Sequence, residues 1–219
     1  MKNNFGLIIS NTLRSLVYLR KIKKNNLKPS YIIYLNDNSK NIYEKKLNKE
    51  NFFFKDVNVK SFLSKKITKK IANFIIKKKV EYVIFSGYAG DVIKNSNLLK
   101  KIKIIHSHPG KLPLYKGSTT IYYSLLQKGK IFCSTFILNE KIDSGKIIRV
   151  REYPIPKKIT SIDNIYDAEI RATNLCEVLK NKLNLNLNLN KTSSKPYYVI
   201  HPLLRSIVFK KFKNIFLDN

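Results

Sequence analysis

The sequence predicts an α/β fold whose sheet is parallel at its centre, and three observations carry that prediction. Phe5–Ile9, Tyr31–Leu35 and Val80–Phe85 are short, nearly continuous apolar runs, the pattern of strands buried on both faces. Between the first two, Leu13, Leu16, Val17 and Arg20 fall at helical spacing, which makes a βαβ unit. Residues 61–79 place Leu63, Ile67, Ile71, Phe74 and Ile75 on one helical face and lysines on the other.

Taken in order, the first strand ends in Ser10, Asn11 and Thr12, each suited to cap the helix that follows. That turn carries no Gly-x-Gly-x-x-Gly, so a bound dinucleotide is not supported. Residues 39–60 are polar and charged apart from Phe52, Phe53 and Phe54 and read as mostly loop. The run at 80–85 closes with Ser-Gly-Tyr-Ala-Gly-Asp. Glycines past a strand's carboxyl end let backbone approach a ligand, and open α/β sheets bind ligands at that edge. Residues 101–105 form the next strand, a Pro/Gly loop follows, and 119–126 read as a short helix ended by Gly129. Strands at 131–138 and 146–153 flank a tight turn holding Asp143. Residues 163–179 read as a helix capped by Asp163, and 183–190 alternate Leu and Asn, as a strand or a low-complexity slip. Leu204, Val208, Phe212, Ile215 and Phe216 form a last apolar stripe beside lysines.

Composition limits the function classes. A 219-residue chain with 43% hydrophobic residues can bury a full core. Its net charge of +29 suggests an anionic partner, RNA or a membrane surface. Arg stands only at positions 14, 20, 149, 151, 171 and 205, however, and Lys, Asn and Ile share A/T-rich codons, so base composition also accounts for the charge. Cys133 and Cys176 are far apart and outside any ligand-spaced pair, which argues against a disulfide framework. No run has the length of a signal core or a membrane span, and a cytoplasmic location is expected.

Chemistry concentrates between Lys103 and Asp143. Two of the three histidines, His106 and His108, stand where an apolar run gives way to the Pro/Gly loop. A carboxylate brought near an imidazole orients it and stabilises its protonated form, and Asp143 lies one helix and one strand away. The same three residues could ligate a metal, but Pro109 and the remote His201 leave a poor ligand supply, so no metal is expected. His201 reads as structural.

The stretch His108-Pro109-Gly-Lys-Leu112-Pro113-Leu-Tyr-Lys116-Gly117, followed downstream by Asp143-Ser-Gly145, resembles the formyltransferases that use 10-formyltetrahydrofolate. That family includes glycinamide ribonucleotide, methionyl-tRNA and amino-sugar enzymes; the resemblance is specific from about 85 to 148. It implies a Rossmann-like catalytic domain over 1–156, with 157–219 as a short, mainly helical extension packing on the core. It implies His108 as the imidazole beside the transferred proton and Asp143 as the partner that sets its protonation. Ser86, Gly87, Tyr88, Ala89, Gly90, Asp91 and Val92, with Leu138, Asn139, Glu140, Lys141 and Ile142, would cradle the pterin of the donor. Pro109, Lys116, Gly117, Ser118 and Thr119 would meet the acceptor. One departure stands out: His106 fills the family's asparagine slot, so an ionisable group replaces an amide donor.

The acceptor expected is a small amine, a nucleotide-linked amino sugar, because the residues after Pro156 do not read as the β-barrel domain of methionyl-tRNA enzymes. Methionyl-tRNA is the alternative on charge grounds, and a catalytically silent basic protein that binds RNA or a membrane is a reading of another class. For the terminal segment, docking on the core is preferred over pairing in a homodimer, and both over membrane contact.

Overall fold

The computed structural model describes residues 4–39, 42–51, 54, 56–88, 93–181 and 194–213, so the Leu/Asn alternation at 183–190 and the end of the last stripe lie outside the described residues. The chain divides into two compact units, Met1–His106 with Ile137–Lys141, and Ser107–Phe136 with Ile142–Asn219.

The first unit runs β1 (Phe5–Ser10), α1 (Leu13–Lys24), β2 (Tyr31–Asn36), α2 (Ile42–Asn51), β3 (Asn58–Leu63), α3 (Lys69–Lys77), β4 (Tyr82–Ser86) and α4 (Ser96–Lys101), and enters β5 (Lys103–His108). The strand order is β3-β2-β1-β4-β5, continued by β6 (Ile131–Ile137) and β7 (Ile147–Tyr153). Pairings from β3 through β5 are parallel, and β6 pairs with β7 antiparallel. Every residue of β1 and β4 is buried, which is why both read as unbroken apolar runs. Ile8, Ile33, Val83 and Ile104 from the sheet pack with Ile71, Ala72 and Ile75 of α3. Thr12 caps α1, its side chain accepting the Ser15 N–H.

Two expectations fail here. Residues 58–63 are a strand rather than the end of a loop and the start of the helix expected over 61–79, and α3 begins only at Lys69, capped by Thr68. β3 is an edge strand with mostly exposed side chains, Leu63 at 71%, so no buried run marks it; backbone pairing to β2 makes it a strand. Residues 42–51 are helical rather than loop, because α2 packs on α1 and buries Leu47. Tertiary contact supplies there what the local pattern lacks.

The second unit takes the end of β5, then α5 (Thr120–Lys128), β6 to Phe136, β7, α6 (Asp167–Lys180) and α7 (Pro202–Lys213). Its core joins Ile121 and Leu125 of α5, Ile131 and Cys133 of β6, Ile170 of α6, and Val208 and Phe212 of α7. Leu204, expected in the same stripe, is 39% exposed. Asp163 does not cap α6; it sits in a wide π-type turn over Ile162–Tyr166 and pairs with Arg205, whose guanidinium lies over Tyr122 and Phe209. His201 accepts the Leu203 N–H at the start of α7, at 3.2 Å. Both cysteines are buried, and neither is in a disulfide. Among the described residues no helix is long and apolar enough to cross a membrane.

Candidate active site

β5 delivers His108 at its carboxyl end, and the loop from Pro109 to Thr119 folds back over it. Ser134, buried on β6, accepts the Leu112 N–H and donates to the Gly110 carbonyl. Tyr115 closes a turn onto the Lys111 carbonyl, and this aims its own carbonyl at His108, whose Nε2 lies 2.8 Å away. A carbonyl only accepts, so Nε2 carries the hydrogen. Thr120 at the start of α5 donates to the Pro109 carbonyl and puts its hydroxyl 3.2 Å from the same Nε2.

With Nε2 committed, Nδ1 is the nitrogen that gains and loses a proton. It faces Asp143 Oδ2 at 3.4 Å. That oxygen also accepts the Gly117 N–H at 2.8 Å. The imidazole is 4% exposed and the carboxylate 14%. Burial pushes the His108 pKa below its usual value, against an upward pull from Asp143. Burial thus favours the neutral ring, and the carboxylate beside Nδ1 is placed to stabilise the imidazolium.

Gly110 makes this packing feasible. A Cβ there would stand 2.6 Å from the Tyr115 carbonyl oxygen and 2.8 Å from His108 Nε2. Gly110→Ala is expected to destabilise the fold by about 1–3 kcal/mol, the usual cost of overpacking, and to disturb the imidazole. Urea denaturation checks it, and an unchanged midpoint would mean that the loop yields without cost.

The residues expected to meet the acceptor are occupied in part by a segment whose role the sequence did not signal. Tyr197 donates its N–H to the Lys116 carbonyl and accepts the Ser118 N–H, bridging Gly117. Thr119 Oγ1 accepts the Ile200 N–H and donates to the Tyr198 carbonyl; it does not cap α5. Gly117 has φ +91° and no space for a Cβ against Tyr197. Residues 194–200 thus hold the loop that carries the Asp143 contact. They show no periodicity, and the pairing spans some eighty positions. The Tyr115 carbonyl was likewise missed, because a backbone oxygen has no sequence signature.

In the first unit, His106 lies on β5 and donates from Nδ1 to the Phe85 carbonyl at 2.9 Å. The Ser86 carbonyl accepts from Ser10 and Ser15, and the Gly87 carbonyl from Arg14, so both are tied to α1 and its approach. A Cβ on Gly87 would run into the Phe85 ring, which explains this glycine by packing. The Tyr88 hydroxyl accepts the Asn11 N–H and donates to the Leu35 carbonyl. Leu138 donates its N–H to Ile104, and Asn139 closes a turn onto the Lys141 N–H. Glu140 and Lys141 are exposed, as is Ile142, which belongs to the second unit. Ala89, Gly90, Asp91 and Val92 lie outside the described residues. No group of three or more His, Cys, Asp or Glu could hold a metal among the described residues.

The mostly parallel α/β sheet delivers a buried imidazole–carboxylate pair with one nitrogen tied down, an arrangement able to take up and release a proton. A family model described as formyl transferase matches residues 4–173, and the chain belongs to that family, as a formyltransferase. Its fold is similar to a sugar N-formyltransferase from Shewanella sp. FDAARGOS_354, at 19% identity and TM-score 0.59, over 88% of this chain and 76% of that one. Glycinamide ribonucleotide transformylase 1 from Symbiobacterium toebii matches at 13% identity and TM-score 0.62, over 86% and 91%. A 4-N formyltransferase from Francisella tularensis matches at 17% identity and TM-score 0.56, over 90% and 76%. No curated protein sequence matches the chain.

Proposed function

We propose that this formyltransferase takes its formyl group from 10-formyltetrahydrofolate and delivers it to the primary amine of a small acceptor, a nucleotide-linked amino sugar. The observation that carries the proton chemistry is the His108–Asp143 pair with Nε2 locked on the Tyr115 carbonyl. Bound 10-formyltetrahydrofolate supplies an activated formyl carbon. As the amine attacks it, His108 Nδ1 accepts the amine's proton, Asp143 stabilises the resulting imidazolium, and the proton returns to the departing nitrogen. His106 stands in the slot of the family's asparagine and would donate to the formyl oxygen as negative charge develops there. Half-buried Leu138 and Tyr88, packed on the edge of the first unit's core, give an apolar wall beside the Asn139 turn that suits a planar pterin.

The small acceptor is favoured because a sugar N-formyltransferase stands among the structural neighbours. Methionyl-tRNA is the second reading, favoured by the net charge of +29. Titration calorimetry with 5-formyltetrahydrofolate tests the donor, and formyl transfer to nucleotide amino sugars against methionyl-tRNA tests the acceptor. Binding with sugar turnover supports the proposal. Folded protein that binds no reduced folate overturns it, and transfer to tRNA that weakens steeply with salt shifts the acceptor to nucleic acid.

A further inference from the structure

α6 presents a charged pair to the strand that carries His108. Arg171 is only 12% exposed, its Nε bonds Asp167 Oδ1 at 2.8 Å, and its Nη1 donates to the Ser107 carbonyl at 3.0 Å. That carbonyl belongs to the peptide bond leading into His108. Ser107 is fixed a second time through its side chain, whose Oγ shares a 2.7 Å hydrogen bond with Thr135 Oγ1. Thr135 Oγ1 in turn accepts from Asn174, one turn along α6 from Arg171. A half-exposed surface lysine could not make these contacts; the planar guanidinium serves the carboxylate and the carbonyl together.

We propose that Arg171 is a positioning residue for the reaction: its bond to the Ser107 carbonyl fixes the end of β5 that carries His108 and keeps a permanent positive charge beside that strand end. The proposal rests on His108 as the proton acceptor of formyl transfer. The charged groups acting on the ring among the described residues are Asp143 from the turn after β6, and Arg171 and Asp167 from α6. After burial and Asp143, Arg171 is the next influence and lowers the proton affinity of His108; the Tyr115 bond and Asp167 raise it. Burial already outweighs the pull of Asp143 toward an imidazolium, and Arg171 acts in the same direction as burial, while Asp167 holds the guanidinium in place.

The two partners therefore predict shifts of opposite sign. The chain has three histidines, so the His108 ring resonance can be assigned by its loss in His108→Gln and followed by NMR against pH. Arg171→Met is expected to raise the His108 midpoint, and Asp167→Asn to lower it. Arg171→Lys keeps the charge and should keep the midpoint near wild type while losing the carbonyl anchor, seen as a lower kcat at similar KM. If the wild-type ring stays neutral to the acid limit of the fold, Arg171→Met should bring its titration into range. Midpoints that do not move, or that move the same way in Arg171→Met and Asp167→Asn, overturn the proposal. Should Arg171→Met not fold, Arg171→Lys and Asp167→Asn decide it: a downward shift in the second alone supports it, equal midpoints overturn it. The titration needs no substrate, so opposite shifts in a protein without formyl transfer would sink the reaction assignment and leave the Arg171 electrostatics standing.

Discussion

Replacing His108 by alanine is expected to lower the rate of formyl transfer by about 10²–10⁴-fold, the range for loss of a positioned general acid–base. Nothing else in the second unit's described site is placed to take over. Thr120 is engaged with Pro109, and Asp143, the partner of the ring, is held by the Gly117 N–H. Asp143→Asn can keep the Gly117 bond through its amide oxygen while removing the charge, so its smaller loss isolates the stabilisation of the imidazolium. The sign of the pH dependence follows from the lowered proton affinity of His108. The neutral ring is the working form, and it persists below the ordinary histidine midpoint of about 6.5. Activity should hold as pH falls to that value and decline beneath it. Steady-state kcat/KM against pH reads this directly, and an acidic limb above neutrality would contradict the assignment.

His106→Ala is the second large effect, expected to cost about 10²–10³-fold, as removal of one oxyanion donor does. The Phe85 carbonyl takes the Nδ1 hydrogen of His106. In the neutral ring Nε2 then has no hydrogen, so His106 donates through Nε2 only as an imidazolium. Asparagine donates a hydrogen bond without ionising, so His106→Asn should retain more activity than His106→Ala, read as kcat/KM; equal losses in the two variants would remove the donor role from His106.

Much of the fold was legible because parallel strands buried on both faces write themselves as apolar runs. β1, β2, β4 and β6 fall where those runs predict, and Gly129 ends α5 with φ +64° as a left-handed C-cap. β3 and α2 were hidden for the converse reason. An edge strand with exposed side chains and a helix held by its neighbour carry little local pattern.

The sequence by itself determined the α/β class, the residue types of the proton-handling pair and their place at the end of a buried strand, since periodicity and turn chemistry are local properties. Only the tertiary structure decided which imidazole nitrogen is tied to the Tyr115 carbonyl, that Gly110 must lack a side chain, that residues 194–200 hold the loop, and that Arg171 bonds the Ser107 carbonyl. Each depends on a backbone carbonyl or a distant side chain brought within about 3 Å by packing, a distance that hydrogen bonding demands and spacing along the chain does not encode.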